Sequence, residues 1–66
     1  MSVLKVVELM SSSKKSWEDA TAKAVKKASK SIQEIKSAYV KDQSVVVNKG
    51  EVVEYRVTLK VTFIVK

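Results

Sequence analysis

The sequence predicts an α+β domain in which a βαββ unit forms a three-stranded antiparallel sheet packed on one amphipathic helix. Apolar, β-branched stretches lie near the two ends of the chain, over 3–10 and 53–63. The segment between them repeats apolar residues at helical spacing, and a Lys49-Gly50 turn precedes the last stretch. A period of two in the strands, a period of about 3.6 in the helix and a hairpin turn together indicate this fold class.

The first strand is predicted over 3–10, because this run is rich in aliphatic residues and too short for a globular helix. The serines at 11–13 are expected to end it. Apolar side chains occur on both of its sides, Val3, Val7 and Leu9 on one and Leu4, Val6 and Met10 on the other. One helix covers only one side of a small sheet, so the second apolar side is expected to meet another subunit.

A helix is predicted to begin at Trp17. Ser16 supplies an N-cap, Asp19 stands where a capping-box side chain reaches back to the cap, and Glu18 and Asp19 complement the helix dipole. The apolar stripe that follows consists mostly of small residues: Trp17, Ala20, Ala24, Ala28, Ile32 and Ile35. Alanines at these positions let the helix lie close to a sheet.

The second and third strands form a predicted hairpin. The second covers 38–47, and Asn48-Lys49-Gly50 then places the only glycine of the chain where a positive φ is most useful. The third strand alternates, with one apolar series on a single face: Tyr55, Val57, Leu59, Val61, Phe63 and Val65. This alternation specifies the register of the strand.

The composition predicts a single domain over 1–66 that depends on self-association. A chain of 66 residues buries only about 60% of its unfolded surface as a monomer. It has no Cys for a disulfide and no His or Cys for a structural zinc, which leaves oligomerisation as the means of stabilisation. The absence of Cys fits a cytoplasmic protein, which is the expected location. Lys5 and Glu8 interrupt the short N-terminal apolar run, so neither a signal peptide nor a membrane span is predicted.

The residue types predict a protein that is not an enzyme. Without His or Cys there is no serine or cysteine triad of the usual kind, and one glycine excludes a Gly-rich phosphate loop. The seven acidic residues do not follow the spacing of an EF-hand. Calcium would therefore need a site assembled between subunits.

The excess of positive charge has two interpretations. Thirteen Lys and Arg against seven acids give a net charge of +6, and many of the lysines lie in or near the helix: Lys14, Lys15, Lys23, Lys26, Lys27, Lys30 and Lys36. This surface either attracts nucleic acid or is a solvated helix face. One Arg, few aromatics and no Gly-aromatic ribonucleoprotein motif favour the solvated face. Trp17 is similarly predicted to anchor packing or an interface rather than to stack on a ligand.

Nearly the whole chain resembles the dodecins, small proteins that assemble into hollow twelve-subunit shells and usually hold flavin. The resemblance rests on the βαββ order, on Ser16-Trp17-Glu18-Asp19-Ala20 after the first strand, and on the last strand from Val53 to Phe63. It implies a homododecamer that stores or sequesters a small ligand, with FMN or riboflavin as the cofactor.

The resemblance also implies the pocket residues Ser37, Asp42, Gln43 and Arg56. In the dodecins a Trp at the start of the strand after the helix stacks on paired flavins, and Ser37 holds that place here. A Gln that follows an aromatic residue in the last strand binds the flavin edge, and here Arg56 follows Tyr55. Asp42, followed by Gln43, matches an acidic pocket residue. Loss of the stacking surface predicts weak flavin binding.

Arg56 leaves alternatives open. At a pocket shared by two subunits, each subunit would contribute one Arg. Two guanidinium groups bind phosphate or carboxylate better than they bind a neutral ring edge, so this arrangement favours another anionic cofactor. The structural interpretation is that Arg56 pairs with Glu54 or Glu8 on the polar sheet face. The remaining alternatives are a basic nucleic-acid module, a purely structural shell, and a shell that binds a metal ion.

Overall fold

The computed structural model describes residues 3–65, which form the predicted α+β fold. The elements are β1 (Val3–Ser13), α1 (Trp17–Ala28), β2 (Ile35–Asn48) and β3 (Glu51–Val65). Met1, Ser2 and Lys66, which belong to the predicted 1–66 domain, lie outside the described residues. Within 3–65, no helix has both the length and the apolar character needed to cross a membrane.

The last strand of the chain is the central strand of the sheet. The order is β1-β3-β2, and both pairings with β3 are antiparallel. Leu59 in the middle of β3 pairs with Leu9 on one side and Val40 on the other. Because paired residues share a face, the alternation predicted for β3 sorts the side chains of all three strands.

One face of the sheet, here called the helix-covered face, packs against α1. Its fully buried side chains are Val57, Leu59 and Val61, and they contact the buried Ala20 and Ala24 of the helix. The partly buried residues around them are Val7, Leu9, Trp17, Ile35 and Val40. Alanine side chains let the helix axis approach the sheet, but they bury little apolar area, so the core of the subunit is small.

The opposite face, here called the open face, has no covering element among the described residues. By register it consists of Leu4, Val6, Glu8, Met10 and Ser12 of β1, Arg56, Thr58, Lys60, Thr62 and Ile64 of β3, and Ser37, Tyr39, Asp42 and Ser44 of β2. Leu4, Val6 and Met10 are 57%, 54% and 75% exposed. The prediction that β1 is apolar on both sides is therefore confirmed.

The first strand is longer than predicted. It continues through the three serines to Ser13, which pairs with Tyr55 and is buried. The long central strand offers backbone partners up to this point, and these outweigh the turn preference of serine. The prediction that 11–13 ends the strand is wrong for this reason.

The helix is shorter than its apolar stripe. It ends at Ala28, whereas Ile32 lies in the following turn and Ile35 already begins β2. The Ser29 side chain hydrogen-bonds back to the Val25 carbonyl oxygen, and the next N–H groups form tighter turns. Serine competes in this way with helical hydrogen bonding. A positive φ of 61° at Glu34 then starts the return strand.

The predicted N-cap of the helix is confirmed, but the predicted capping-box contact of Asp19 is not formed. The Ser16 Oγ accepts a hydrogen bond from the Asp19 backbone N–H at 2.9 Å. The Asp19 carboxylate does not reach back to the cap; it accepts a 2.6 Å hydrogen bond from the Ser13 hydroxyl and pairs with the Lys23 ammonium at 3.1 Å. Ser13, in turn, accepts from the N–H of Lys15 at 2.9 Å. We call the contacts of Ser13, Asp19 and Lys23 the helix latch.

The helix latch changes the acidity of Asp19. Its pKa lies below the ordinary value, chiefly because the Ser13 hydroxyl and then Lys23 donate hydrogen bonds to the charged carboxylate. A carboxylate that accepts such bonds holds its proton less tightly. The charged form of Asp19 therefore helps to join the end of β1 to the first turn of α1.

The predicted hairpin turn forms at Lys49 and Gly50, which have φ values of 53° and 79°. Two central residues with positive φ are typical of a two-residue type I′ turn, whose twist matches that of the flanking strands. The β2 and β3 strands extend well past the helix, and the described chain measures 51 Å along its longest axis. Register shifts at 35/37, 40/42 and 46/47 interrupt their pairing.

Candidate functional site

The predicted pocket residues divide between the two faces of the sheet. Ser37 pairs with Thr62, and Asp42 pairs with Thr58, so both share the open face with Arg56. Gln43 pairs with Val57 and therefore lies on the helix-covered side. All four residues are exposed. Within one chain, Ser37, Asp42 and Arg56 therefore lie on the open face, whereas Gln43 lies on the helix-covered face.

Spacing on the open face separates Ser37 from the other two. Asp42 is a diagonal neighbour of Arg56, two positions along β3, which corresponds to about 7–8 Å. Ser37 lies opposite a residue four positions further along β3 than the partner of Asp42, or about 13 Å away. Asp42 and Arg56 are therefore neighbours of opposite charge without an ion pair between them, whereas a ligand would need to be long to touch Ser37 as well.

Arg56 lies in a row of three residues across the sheet. Ser12 of β1 is its partner on one side and Ser44 of β2 is its partner on the other. Within residues 3–65, Arg56 forms no ion pair with Glu54 or Glu8. Glu8 instead binds the Lys41 ammonium at 3.1 Å. The expected pairing of Arg56 with these acids is therefore absent from the described chain, and Arg56 is an exposed residue between two serines.

The Lys41–Glu8 pair was not predicted from the sequence. The register shift between Val40 and Asp42 leaves Lys41 without a partner position on β3, and its side chain reaches across the sheet to β1. A β-bulge redirects one side chain in this way. Periodicity cannot locate a bulge inside a strand that otherwise alternates, so the sequence carried no signal for this contact.

Gln43 lies beside the helix at a shallow groove that also contains the only Trp. The groove is lined by Trp17, Glu18, Thr21, Ala22, Val40 and Gln43. The indole N–H of Trp17 donates to the Ser44 carbonyl oxygen at 3.0 Å, and its ring meets Tyr55 edge-on with a centroid distance of 5.2 Å. These contacts join the helix start to the β2–β3 hairpin. The prediction that Trp17 is a packing anchor is confirmed.

Acidic residues are dispersed in the part of the chain that the structure describes. No three of the residue types His, Cys, Asp and Glu lie close enough there to hold a metal ion together. On the open face, Glu8 is paired with Lys41, and Asp42 lies in the row next to that of Arg56. A calcium ion needs six to eight oxygen ligands, and the described acids of one chain do not form a cluster that would contribute several of them.

Comparison with known proteins agrees with this geometry. A model of the Dodecin family matches residues 3–66. The chain belongs to the dodecin family. A dodecin variant from Thermus thermophilus has the same fold, with a TM-score of 0.94 and 30% identity over 100% of this chain and 98% of that one. The family and the βαββ fold predicted from the sequence are both confirmed.

A second relative of this dodecin has a metal ion in its name. The calcium dodecin of Mycobacterium tuberculosis (strain ATCC 25618 / H37Rv) is 40% identical over 63 residues, covering 96% of this chain and 89% of that protein. Its crystal structure, described as having a novel calcium-binding site, has a TM-score of 0.85 and 36% identity, over 97% of this chain and 91% of that one. Dodecins similar to this chain therefore include one that is named for a ligand other than flavin.

Proposed function

We propose that this dodecin is a subunit of a closed homododecameric shell that binds a small ligand and catalyses no reaction. The observation that carries the proposal is the open face, on which Leu4, Val6 and Met10 are each more than half exposed. Exposed apolar side chains grouped on one sheet face are typical of an interaction surface. Family membership supports a second copy of the chain as the partner.

The small core of the subunit supports the same proposal. Five residues make up the buried apolar cluster, and two of them are alanines. Domains of this size gain limited stability from their own core. Burial of the open face against other subunits would add the apolar area that the helix-covered face lacks.

For the ligand, we propose that flavin binds weakly. The side chain at the expected stacking position is Ser37, which is exposed and presents no aromatic surface. Each lost aromatic contact with a planar base costs about 1–3 kcal/mol, and about 1.4 kcal/mol corresponds to one order of magnitude in Kd. Arg56 adds a charged guanidinium in the place of a neutral amide, which favours an anionic group on the ligand.

Native mass spectrometry and the absorption spectrum of the purified protein test this proposal together. We expect twelve copies of the chain and no yellow flavin band without added cofactor. Fluorescence-quenching titration should then give weak binding of riboflavin, and Ser37→Trp combined with Arg56→Gln should strengthen it. A stable folded monomer at micromolar concentration would contradict the shell, and a nanomolar Kd for riboflavin would contradict the assignment of the pocket.

Calcium is the second candidate ligand, favoured by the 40% identity to a protein named calcium dodecin. The described acids of one chain do not form a metal cluster, so the site would combine carboxylates of several subunits. Calorimetric titration of chelator-treated protein with CaCl₂, with MgCl₂ as the control, tests this candidate. Calcium binding that is lost in Asp42→Asn but retained in Glu18→Gln would place the ion at the open face. The absence of a binding heat with both CaCl₂ and MgCl₂ would exclude calcium as the ligand.

We propose that the lysine-rich helix face is solvated and does not bind nucleic acid specifically. Lys26, Lys27 and Lys30 are exposed, and the apolar side of the helix packs on the sheet. Such a face attracts polyanions weakly and with strong salt dependence. Sequence-dependent, submicromolar binding of oligonucleotides at about 150 mM salt, abolished by joint substitution of these lysines, would establish the nucleic-acid alternative instead.

A further inference from the structure

We propose that the row formed by Ser12, Arg56 and Ser44 binds the phosphate group of a phosphorylated small ligand. This inference rests on the proposed small-ligand function and names the chemical group that the open face recognises. The three residues lie on three adjacent strands and are direct partners in the sheet. Directly opposed residues of antiparallel strands have Cα atoms about 4.5–5.5 Å apart, so Ser12 and Ser44 flank Arg56 on the same face.

The donors of this row match a tetrahedral phosphate. A guanidinium donates two parallel hydrogen bonds to two oxygens of one anion, and each serine hydroxyl donates one more. A phosphate monoester has three terminal oxygens and accepts from all of these groups. A carboxylate has two oxygens in one plane, so it occupies the guanidinium and leaves the hydroxyls to water.

Neighbouring rows of the open face lack this combination. The row of Lys60 contains Glu8, which is already bonded to Lys41, and the row of Thr58 contains Asp42. Among residues 3–65, two rows of the open face have a cation on β3, those of Arg56 and Lys60, and the row of Arg56 is the one without a carboxylate. Within residues 3–65 its guanidinium has no ion-pair partner. The charge is therefore available to an incoming anion.

Two carboxylates border the row without occupying it. Asp42 is diagonal to Arg56 on β2, and Glu54 precedes it by two residues on the same side of β3. Their Cα atoms lie about 7 Å from that of Arg56, and within residues 3–65 neither carboxylate forms an ion pair with the guanidinium. The net charge of +6 per chain attracts anions toward the assembly. An anion that binds at this row therefore makes its closest contact with Arg56 and not with the neighbouring carboxylates.

Matched ligand pairs test the row on the assembled protein. Calorimetry would compare adenosine 5′-monophosphate with adenosine, and FMN with riboflavin, with inorganic phosphate as a competitor. We expect each phosphorylated ligand to bind at least about tenfold more tightly than its partner, as expected for charge-assisted hydrogen bonds. Inorganic phosphate should reduce binding of the phosphorylated member only.

Three variants localise the effect. Arg56→Gln should remove the preference for the phosphorylated ligand, and Ser12→Ala with Ser44→Ala should reduce it only in part, because the charge is kept. Lys60→Gln is the matched control, since it removes one positive charge from the same strand and face but from the row that contains Glu8. It should leave the preference unchanged. Native mass and circular dichroism would verify that each variant folds and assembles.

The outcomes separate this inference from the proposed function. Equal binding of the phosphorylated and unphosphorylated ligands would overturn the phosphate row while the ligand-binding shell remains supported. An equal loss of the preference in Lys60→Gln and Arg56→Gln would also overturn it, because general electrostatic attraction would then explain the result. Failure of every ligand to bind a folded dodecamer would overturn both.

Discussion

Leu59 on the helix-covered face is completely buried, whereas Leu4 on the open face is 57% exposed. The two side chains have the same chemistry and lie on adjacent strands of one sheet. They differ because α1 covers one face, while no described element covers the other. The comparison separates the residues that fold the subunit from those that the proposed shell would bury between subunits.

The largest effect is expected from Leu59→Ala. Truncation of a buried leucine removes apolar contacts and leaves a cavity, which lowers the free energy of unfolding by about 2–5 kcal/mol. Urea denaturation followed by circular dichroism measures this loss. Leu4→Ala is the matched control, and its effect should depend on protein concentration because it acts through assembly. Equal, concentration-independent losses in both variants would contradict the distinction between the faces.

Val6→Lys tests the open face directly. Val6 is 54% exposed in the subunit, so a lysine there is tolerated by the fold, but burial of its ammonium between subunits would be costly. We expect the native mass to fall below that of the dodecamer and the Tm to become strongly dependent on concentration. Gln33→Lys adds the same charge at an exposed position outside the sheet and should assemble normally. An intact dodecamer in Val6→Lys would show that this face is not the interface.

Asp19→Asn tests whether the helix latch holds α1 on the covered face. The pKa of Asp19 is lowered in the folded state, so its contribution to stability is present above the unfolded value of about 4 and is lost as pH falls through the folded pKa. The variant should be less stable at neutral pH and should show a smaller decrease in stability below about pH 4. Glu18→Gln, which keeps the latch, is the control. Parallel acid unfolding curves for Asp19→Asn and the unmodified protein would contradict this role.

Lys49→Asn changes neither face and should give the smallest effect. Lys49 has a φ of 53°, and a left-handed conformation costs an ordinary residue about 1–2 kcal/mol, whereas asparagine adopts it more readily. We expect a gain of about 0.5 kcal/mol in the free energy of unfolding, with the native mass unchanged. Gly50→Ala should lower stability, because φ is 79° there although an added Cβ meets no atom within 4 Å. A loss of stability in Lys49→Asn would contradict the assigned turn.

Local sequence signals were sufficient for the elements that depend on neighbouring residues. The Ser16 cap, the Lys49-Gly50 turn and the alternation of β3 each follow from the chemistry of a few adjacent positions, and the structure confirms them. The same signals were misleading at the ends of elements. The serines at 11–13 remain in β1 because the central strand supplies partners, and the helix stops at Ala28 although the apolar stripe continues.

Only part of the candidate site could be predicted from the sequence. Resemblance to a family selected Ser37, Asp42, Gln43 and Arg56, and these assignments remain predictions. Strand pairing decided that Gln43 lies on the covered side and that Ser12 and Ser44 flank Arg56. Ser12 and Ser44 are 32 positions apart in the sequence, and neither serine carries a local signal of function.

The sequence by itself determined the fold class, the two apolar sides of β1 and the net charge, because periodicity and composition are properties of nearby residues. Its resemblance to known proteins indicated the family. Only the tertiary structure decided that β3 lies in the centre, that the Lys41 side chain binds Glu8, and that Arg56 lies between two serines. Those features depend on register between distant strands. Register is a property of the whole sheet, since each pairing is selected by the combined hydrogen bonding and burial of all its residues.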